Sequence, residues 1–300
     1  IMSSDWSSDV CSSDLTEFDS IKFYPAGYSQ YRGNIVFRDS SDDNSTMEYC
    51  LITGGHSTTS GGGIHCISSS PTISNCAVVF NTAEHGCGGI YCETGSNPQI
   101  SHCLIGGNSA DHECGGVYSA FDSYPVFTCC NITGNTAVEG GGIFCYQSAA
   151  EFRRCVIANN SAYYGGGISL LESNILVEHC DISANSGVIG GGIYCTRSEF
   201  RMFNSILDRN TENGILFSDS IRADIKYCNF YRNRPENFSQ NPLPQTLGII
   251  VGVNVNGDSC DAYNNIYTDP GYVDWRRCNF HLQPDSPCID TGLALGGFTN

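Results

Sequence analysis

The segment Asn135-Thr136-Ala137-Val138-Glu139-Gly140-Gly141-Gly142-Ile143-Phe144-Cys145 constrains the fold most, because it recurs. Related segments run from Asn81 to Cys92, Asn108 to Ser119, Asn160 to Leu170 and Asn185 to Cys195, one every 25 to 27 residues. A fixed period of this length means a stack of similar units, each burying its apolar face against its neighbours. The 300 residues are therefore read as one elongated array rather than two globular domains.

Two sets of columns define the unit. Cys50, Cys76, Cys103, Cys130, Cys155, Cys180, Ser205 and Cys228 share one position, each followed two residues later by an apolar residue from Ile52 to Phe230. That alternation is a short strand with both flanking side chains inward. Three residues before this column stand Ile73, Ile100, Phe127, Phe152, Val177, Met202 and Ile225. The odd offset breaks the period of two and predicts a bend between two strands. The second set is the Gly-Gly-x-Ile-x-Cys block, with inward pairs such as Ile90/Cys92 and Ile143/Cys145. Three short strands per coil predict an all-β, single-stranded parallel β-helix, a solenoid of about eight coils. A helical hairpin repeat fits poorly, since no segment keeps a 3.6-residue period.

The turns agree. Asn81, Asn108, Asn135, Asn160, Asn185, Asn210 and Asn233 recur five residues after the Cys column. Asparagine suits left-handed turns, and stacked one per coil these amides are placed to bond each other in a structural ladder. The glycines before each Ile allow a tight corner where a Cβ would clash.

The repeats Gly140-Gly141-Gly142-Ile143 and Ile157-Ala158-Asn159-Asn160, recurring from about residue 47 to 233, resemble those of right-handed parallel β-helix proteins of the pectin-lyase-like superfamily. They are also similar to the GGA-I and F-x-x-N repeats of polymorphic outer-membrane adhesins. The resemblance implies a right-handed coil and a bacterial protein that is secreted or displayed at the cell surface. It leaves activity open, because that superfamily includes lyases, hydrolases and non-catalytic surface proteins.

The repeats divide the chain. Residues 1–15 look non-native: Ser-Ser-Asp occurs three times, and the stretch resembles a translated sequencing adapter. Residues 16–48 read as a cap or partial first coil, 49–233 as the β-helix repeats, and 234–300 as an inserted loop, last coils and C-terminal cap. Within the last part, Ile249-Ile250-Val251-Gly252-Val253 is a strand signal placed to restart the stack. The segment from Asp269 to Gly292 is similar to the closing segment of secreted β-helix proteins, where an anchor or sorting domain follows. Cys278 and Cys288 are placed to pair within it.

Charge narrows the partners. A net charge of −17 excludes nucleic acid, whose phosphates need a basic surface. It also disfavours anionic lipid and acidic glycan unless a divalent cation such as calcium bridges the two. No apolar run approaches a membrane span, and the chain is expected to act as a monomer. Of eighteen cysteines, eleven fall in the two inward column sets, where free thiols pack as small hydrophobes. They are expected to be reduced, since same-column thiols point the same way.

Two features carry candidate chemistry. The turns Glu84-His85-Gly86-Cys87 and Asp111-His112-Glu113-Cys114 are one coil apart, about 4.8 Å by strand spacing. His85, Cys87, His112 and Cys114 are thus a candidate zinc set; a Cys87–Cys114 disulfide and plain turn residues are the competing readings. The second feature is the outward column between the inward pairs: His65, Tyr91, Tyr118, Phe144, Ser169, Tyr194 and Leu216. Exposed, the rings of His65, Tyr91, Tyr118, Phe144 and Tyr194 would stack on a sugar chain or a protein; alternatively they steady the sheet or lie under a loop. Arg153, Arg154, Glu178 and His179 also face outward and read as a solvated ion-pair group. No catalytic set is found: Gly55-His56-Ser57 and Asp42-Asp43 are only fragments of a polygalacturonase-like pattern. The leading expectation is a non-catalytic module binding a polysaccharide or other cell-surface component through its strand face. A polysaccharide lyase or glycoside hydrolase is the alternative, and a structural spacer the third reading.

Overall fold

The computed structural model describes residues 21–23, 34–38, 45–239, 246–277, 279–289 and 292; the leader 1–15 lies outside them. Three parallel sheets of nine, nine and eight strands run along the molecule: the first holds the Cys-column strands such as Leu104–Gly106, the second the Gly-Gly-x-Ile strands such as Ile90–Glu93, and the third the strands before the bend such as Gln99–Ser101. Each coil contributes one strand to each sheet, and neighbouring coils pair in strict register, as in Ile90↔Val117 and Tyr91↔Tyr118. The structure is the expected all-β parallel solenoid. Ile21–Phe23, Ile35–Arg38 and Thr46–Glu48 add a first coil, one strand per sheet. Among the described residues no helix is long and apolar enough to cross a membrane.

The inward columns fill the tube. Ile64, Ile90, Ile105, Ile132 and Ile143 are fully buried, and Phe127 stacks on Phe152 at 5.0 Å. The bend before the Cys column is a left-handed residue in every coil: Asn75, His102, Cys129, Arg154, His179, Asn204 and Tyr227 all have φ near +50°. One such residue shifts the in–out phase, which explains the odd offset between columns. The thiol then serves the bend. Cys103 Sγ donates to the Ser101 carbonyl at 3.2 Å and accepts the Cys76 N–H at 3.4 Å. Ser205 makes the same two bonds, to Phe203 O at 2.7 Å and from Cys180 N–H at 3.0 Å, so it substitutes without loss. The cysteines among the described residues are buried, and those of the two column sets are free thiols.

The asparagine ladder is continuous. From Asn81 to Asn233, each side-chain Nδ2 donates to Oδ1 of the next, at 2.9 to 3.1 Å. Each Oδ1 also accepts the preceding asparagine's backbone N–H. The second Nδ2 hydrogen goes to a carbonyl of the preceding coil, such as Val78 O for Asn108 and Ile105 O for Asn135. Every hydrogen-bonding site of these buried amides is used, as burial demands. Glycine is required beside the ladder: a Cβ on Gly142 would lie 2.6 Å from Gly167 O and 2.9 Å from Asn160 Nδ2.

Beyond Asn233 the stack ends differently from the expectation. Ile249, Ile250, Val251, Val253 and Val255 are 50–85% exposed, and Gly252–Val253 forms a hairpin with Ser259–Cys260. The segment is a strand outside the tube. The stack is resumed instead by Asn265 and Ile266. Asn265 Oδ1 accepts the Cys228 N–H at 2.9 Å, taking the role of a column thiol, and Ile266 bridges Asn229. Buried Asp261 anchors this turn by accepting from Tyr267 Oη at 2.6 Å and Asn265 Nδ2 at 3.1 Å. Cys288 Sγ accepts a hydrogen bond from Asn229 Nδ2 at 3.0 Å, and Cys278, with which it was expected to pair, lies outside the described residues.

Asn135→Ala would leave the Asn108 amide groups and the Ile105 carbonyl buried without partners. It should destabilise the protein by about 2–4 kcal/mol in chemical denaturation, whereas Thr136→Ala, at an exposed neighbour, should change stability by less than about 0.5 kcal/mol.

Candidate functional site

The outward rings stack as the register requires. His65 to Tyr91, Tyr91 to Tyr118 and Tyr118 to Phe144 have centroid separations of 5.0, 4.7 and 4.9 Å. They are not exposed, however: these four side chains retain only 5–7% of their surface. Their outer side packs with Cys87 and Cys114 from the variable turns, which fold back over the second sheet. The row is therefore a second, small core outside the tube. His65 and Tyr91 both bond Glu93, at 2.8 and 3.1 Å; burial lowers the His65 pKa, against the pull of Glu93. The row breaks at Ser169, and half-buried Tyr194 meets Tyr164 instead, 5.4 Å away.

The same folding separates the candidate zinc set. Cys87 and Cys114 are fully buried, and their thiols donate to carbonyls of Gly116 and Val117 at 3.2 and 3.0 Å. His85 and His112 are exposed and stack on each other at 4.5 Å. Thiols point inward and imidazoles outward, so the four donors do not converge, and no cluster of three metal-ligating side chains occurs among the described residues. The two cysteines are bridged through their backbones and are free thiols, not a disulfide. Arg153 forms the expected ion pair with Glu178, but Glu178 is buried rather than solvated; a second pair, with Glu151, was not expected.

What the turns leave open is a groove. Where the Asp111-to-Cys114 and Val138-to-Gly140 turns approach the sheet, a cavity of about 300 Å³ opens to solvent. Tyr118, Phe144, Tyr146 and Leu171 line its sheet side; His112, Glu113, Val138 and Glu139 line its turn side. The two glutamates occupy the same turn position one coil apart. Glu113 is fixed by the Gly86 N–H, which donates to Oε2 at 2.7 Å. Glu139 has its pKa raised by partial burial and by the charge of Glu113. Tyr118 is 6% exposed, yet its hydroxyl has no protein partner among the described residues; burial pushes its pKa far up, so it stays neutral. An apolar-floored cavity with a few converging polar groups has the form of a small-ligand site. Of the ring residues read from sequence, the structure brings Tyr118 and Phe144 to this groove, with His112 at its edge. Glu113, Glu139 and Tyr146 are added by the structure; acids 26 residues apart in consecutive turns were the available signal.

A second polar cluster lies under the C-terminal strap. Tyr272, Phe280 and Cys288 pack on Val156, Ala158 and Ile206, on the outside of the first sheet. Beneath them Tyr272 Oη donates to Asp181 at 2.9 Å, Asp208 pairs with Arg209, and the Arg209 guanidinium lies 4.4 Å from the Trp275 ring. Asp208 Oδ1 has no hydrogen-bond partner among the described residues.

Residues 111–267 match the family of right handed beta helix regions. That span is more than half of the 300 residues, and the chain belongs to this family, in agreement with the resemblance to the pectin-lyase-like superfamily. No curated protein and no solved structure matches it.

The buried cluster predicts a pH response. Burial, opposed by Arg209, pushes the Asp208 pKa from 3.8 up to about 7. Seating the strap therefore takes up a proton, so closure is favoured at acid pH and weakens as pH rises through about 7. Protease cleavage within residues 269–289 should accelerate between about pH 5 and about pH 8, and Asp208→Asn should remove that dependence.

Proposed function

We propose that this protein is a secreted or cell-surface β-helix module that binds glycan without transforming it, at the groove between the variable turns and the second sheet. The observation that carries this reading is the groove itself, an open cavity where the Tyr118 hydroxyl, which bonds no protein group among the described residues, stands with Glu113 and Glu139 beside an apolar floor. Sugar rings present an apolar C–H face and a rim of hydroxyls. Tyr146 and Leu171, both partly exposed, supply the apolar contact for the first, and Tyr118, Glu113 and Glu139 the hydrogen-bonding groups for the second. The binding face is thus the mouth of the groove, not the covered ring row.

A hydrolase is the second reading, favoured by the glutamate pair. A carboxyl with a raised pKa beside a second carboxyl fixed by a backbone N–H is an arrangement that a general acid and its partner carboxylate use. Retention on immobilised polysaccharides, scored together with release of shortened products, separates the two. Retention without products is expected, weakened about tenfold or more by Tyr146→Ala. Tyr118→Phe should also weaken retention while leaving the melting temperature unchanged, since the hydroxyl bonds nothing in the protein. Shortened products lost in Glu139→Gln would overturn the binding reading in favour of hydrolysis. Neither retention nor products would leave a structural spacer.

A further inference from the structure

We infer that the groove selects glycans bearing free, protonated amino groups, such as de-N-acetylated hexosamine chains, over neutral or acidic ones. The inference rests on the glycan-binding reading and narrows it. Glu113 and Glu139 are the acidic side chains that line the cavity, and no Lys or Arg among the described residues lines it. The two carboxylates repel each other. One Glu113 oxygen is held by Gly86, and no protein donor reaches the Glu139 carboxylate among the described residues. An ammonium between them relieves the repulsion and supplies three N–H donors, matching Glu113, Glu139 and the Tyr118 hydroxyl.

The aromatic side of the groove suits the same group. Phe144 and Tyr146 lie 6.4 Å apart by centroid, and an ammonium at a ring face in a partly desolvated place gains a cation–π contribution. The whole-chain charge of −17 acts in the same direction, concentrating cationic ligands and repelling uronates. A neutral N-acetylated sugar would keep the stacking contact but leave both carboxylates without a cation.

The test is calorimetry of the full chain against oligomers of equal length: glucosamine, N-acetylglucosamine and galacturonate, with oligolysine as a non-sugar cation, at a pH where the amines remain charged. The glucosamine oligomer should bind about tenfold or more tighter than the acetylated one, as expected for charge-assisted hydrogen bonds. In Glu139→Gln that ratio should fall towards one. The wild-type comparison stands even if the variant folds poorly. Equal affinity for the acetylated oligomer, or a preference for galacturonate, would overturn the amine assignment while keeping the glycan reading. Oligolysine binding as tightly as the glucosamine oligomer would overturn the sugar assignment. Binding of no glycan would sink both.

Discussion

A line of seven asparagine side chains, Asn81 to Asn233, holds the coils in register. Each amide joins its own turn to the coils on either side, so no coil can rotate or slip without breaking bonds at both neighbours. Such chains of buried hydrogen bonds strengthen one another and are costly to leave half satisfied. The other repeat features follow from this constraint. Glycines lie beside the ladder because a Cβ would strike the Asn amide or the next coil's carbonyl. The left-handed residues before the Cys column turn the chain into the ladder's strand, and the column thiols satisfy backbone groups at that corner.

With the tube fixed, the variable turns are free to differ, and there the candidate site arises. The turns ending in Cys87 and Cys114 fold back onto the outward rings and seal them. At the next coil Gly140 stands where a cysteine would be, and the cover thins. The cavity beside Tyr118, Phe144 and Tyr146 begins at that point. A rigid scaffold thus presents a groove whose polar groups come from two consecutive turns.

The solenoid is legible in the sequence because inward columns, glycines and ladder asparagines obey local rules repeated many times. The outside of the tube is not. Alternation tells whether Tyr91 points in or out, but not that a turn 27 residues from its equivalent will fold over it. Likewise, equal turn positions bring His85 beside His112, yet whether Cys87 shares their side depends on the turn's backbone path. Ile249–Val253 has strand composition in isolation, yet it pairs only with Ser259–Cys260 outside the tube, and Asn265 with Asp261 supplies the closing bonds instead. The glutamates of the groove were visible as residues, but their convergence with Tyr118 required the fold.

Hydrogen exchange of the asparagine side-chain amides tests the central claim most directly. If the ladder holds the coils, the Nδ2 hydrogens of Asn108 to Asn210 exchange as slowly as the backbone amides of the innermost strands, and do so as one cooperative group. Exchange at the rate of exposed Asn256 would contradict the account, because the coils would then be held by side-chain packing alone.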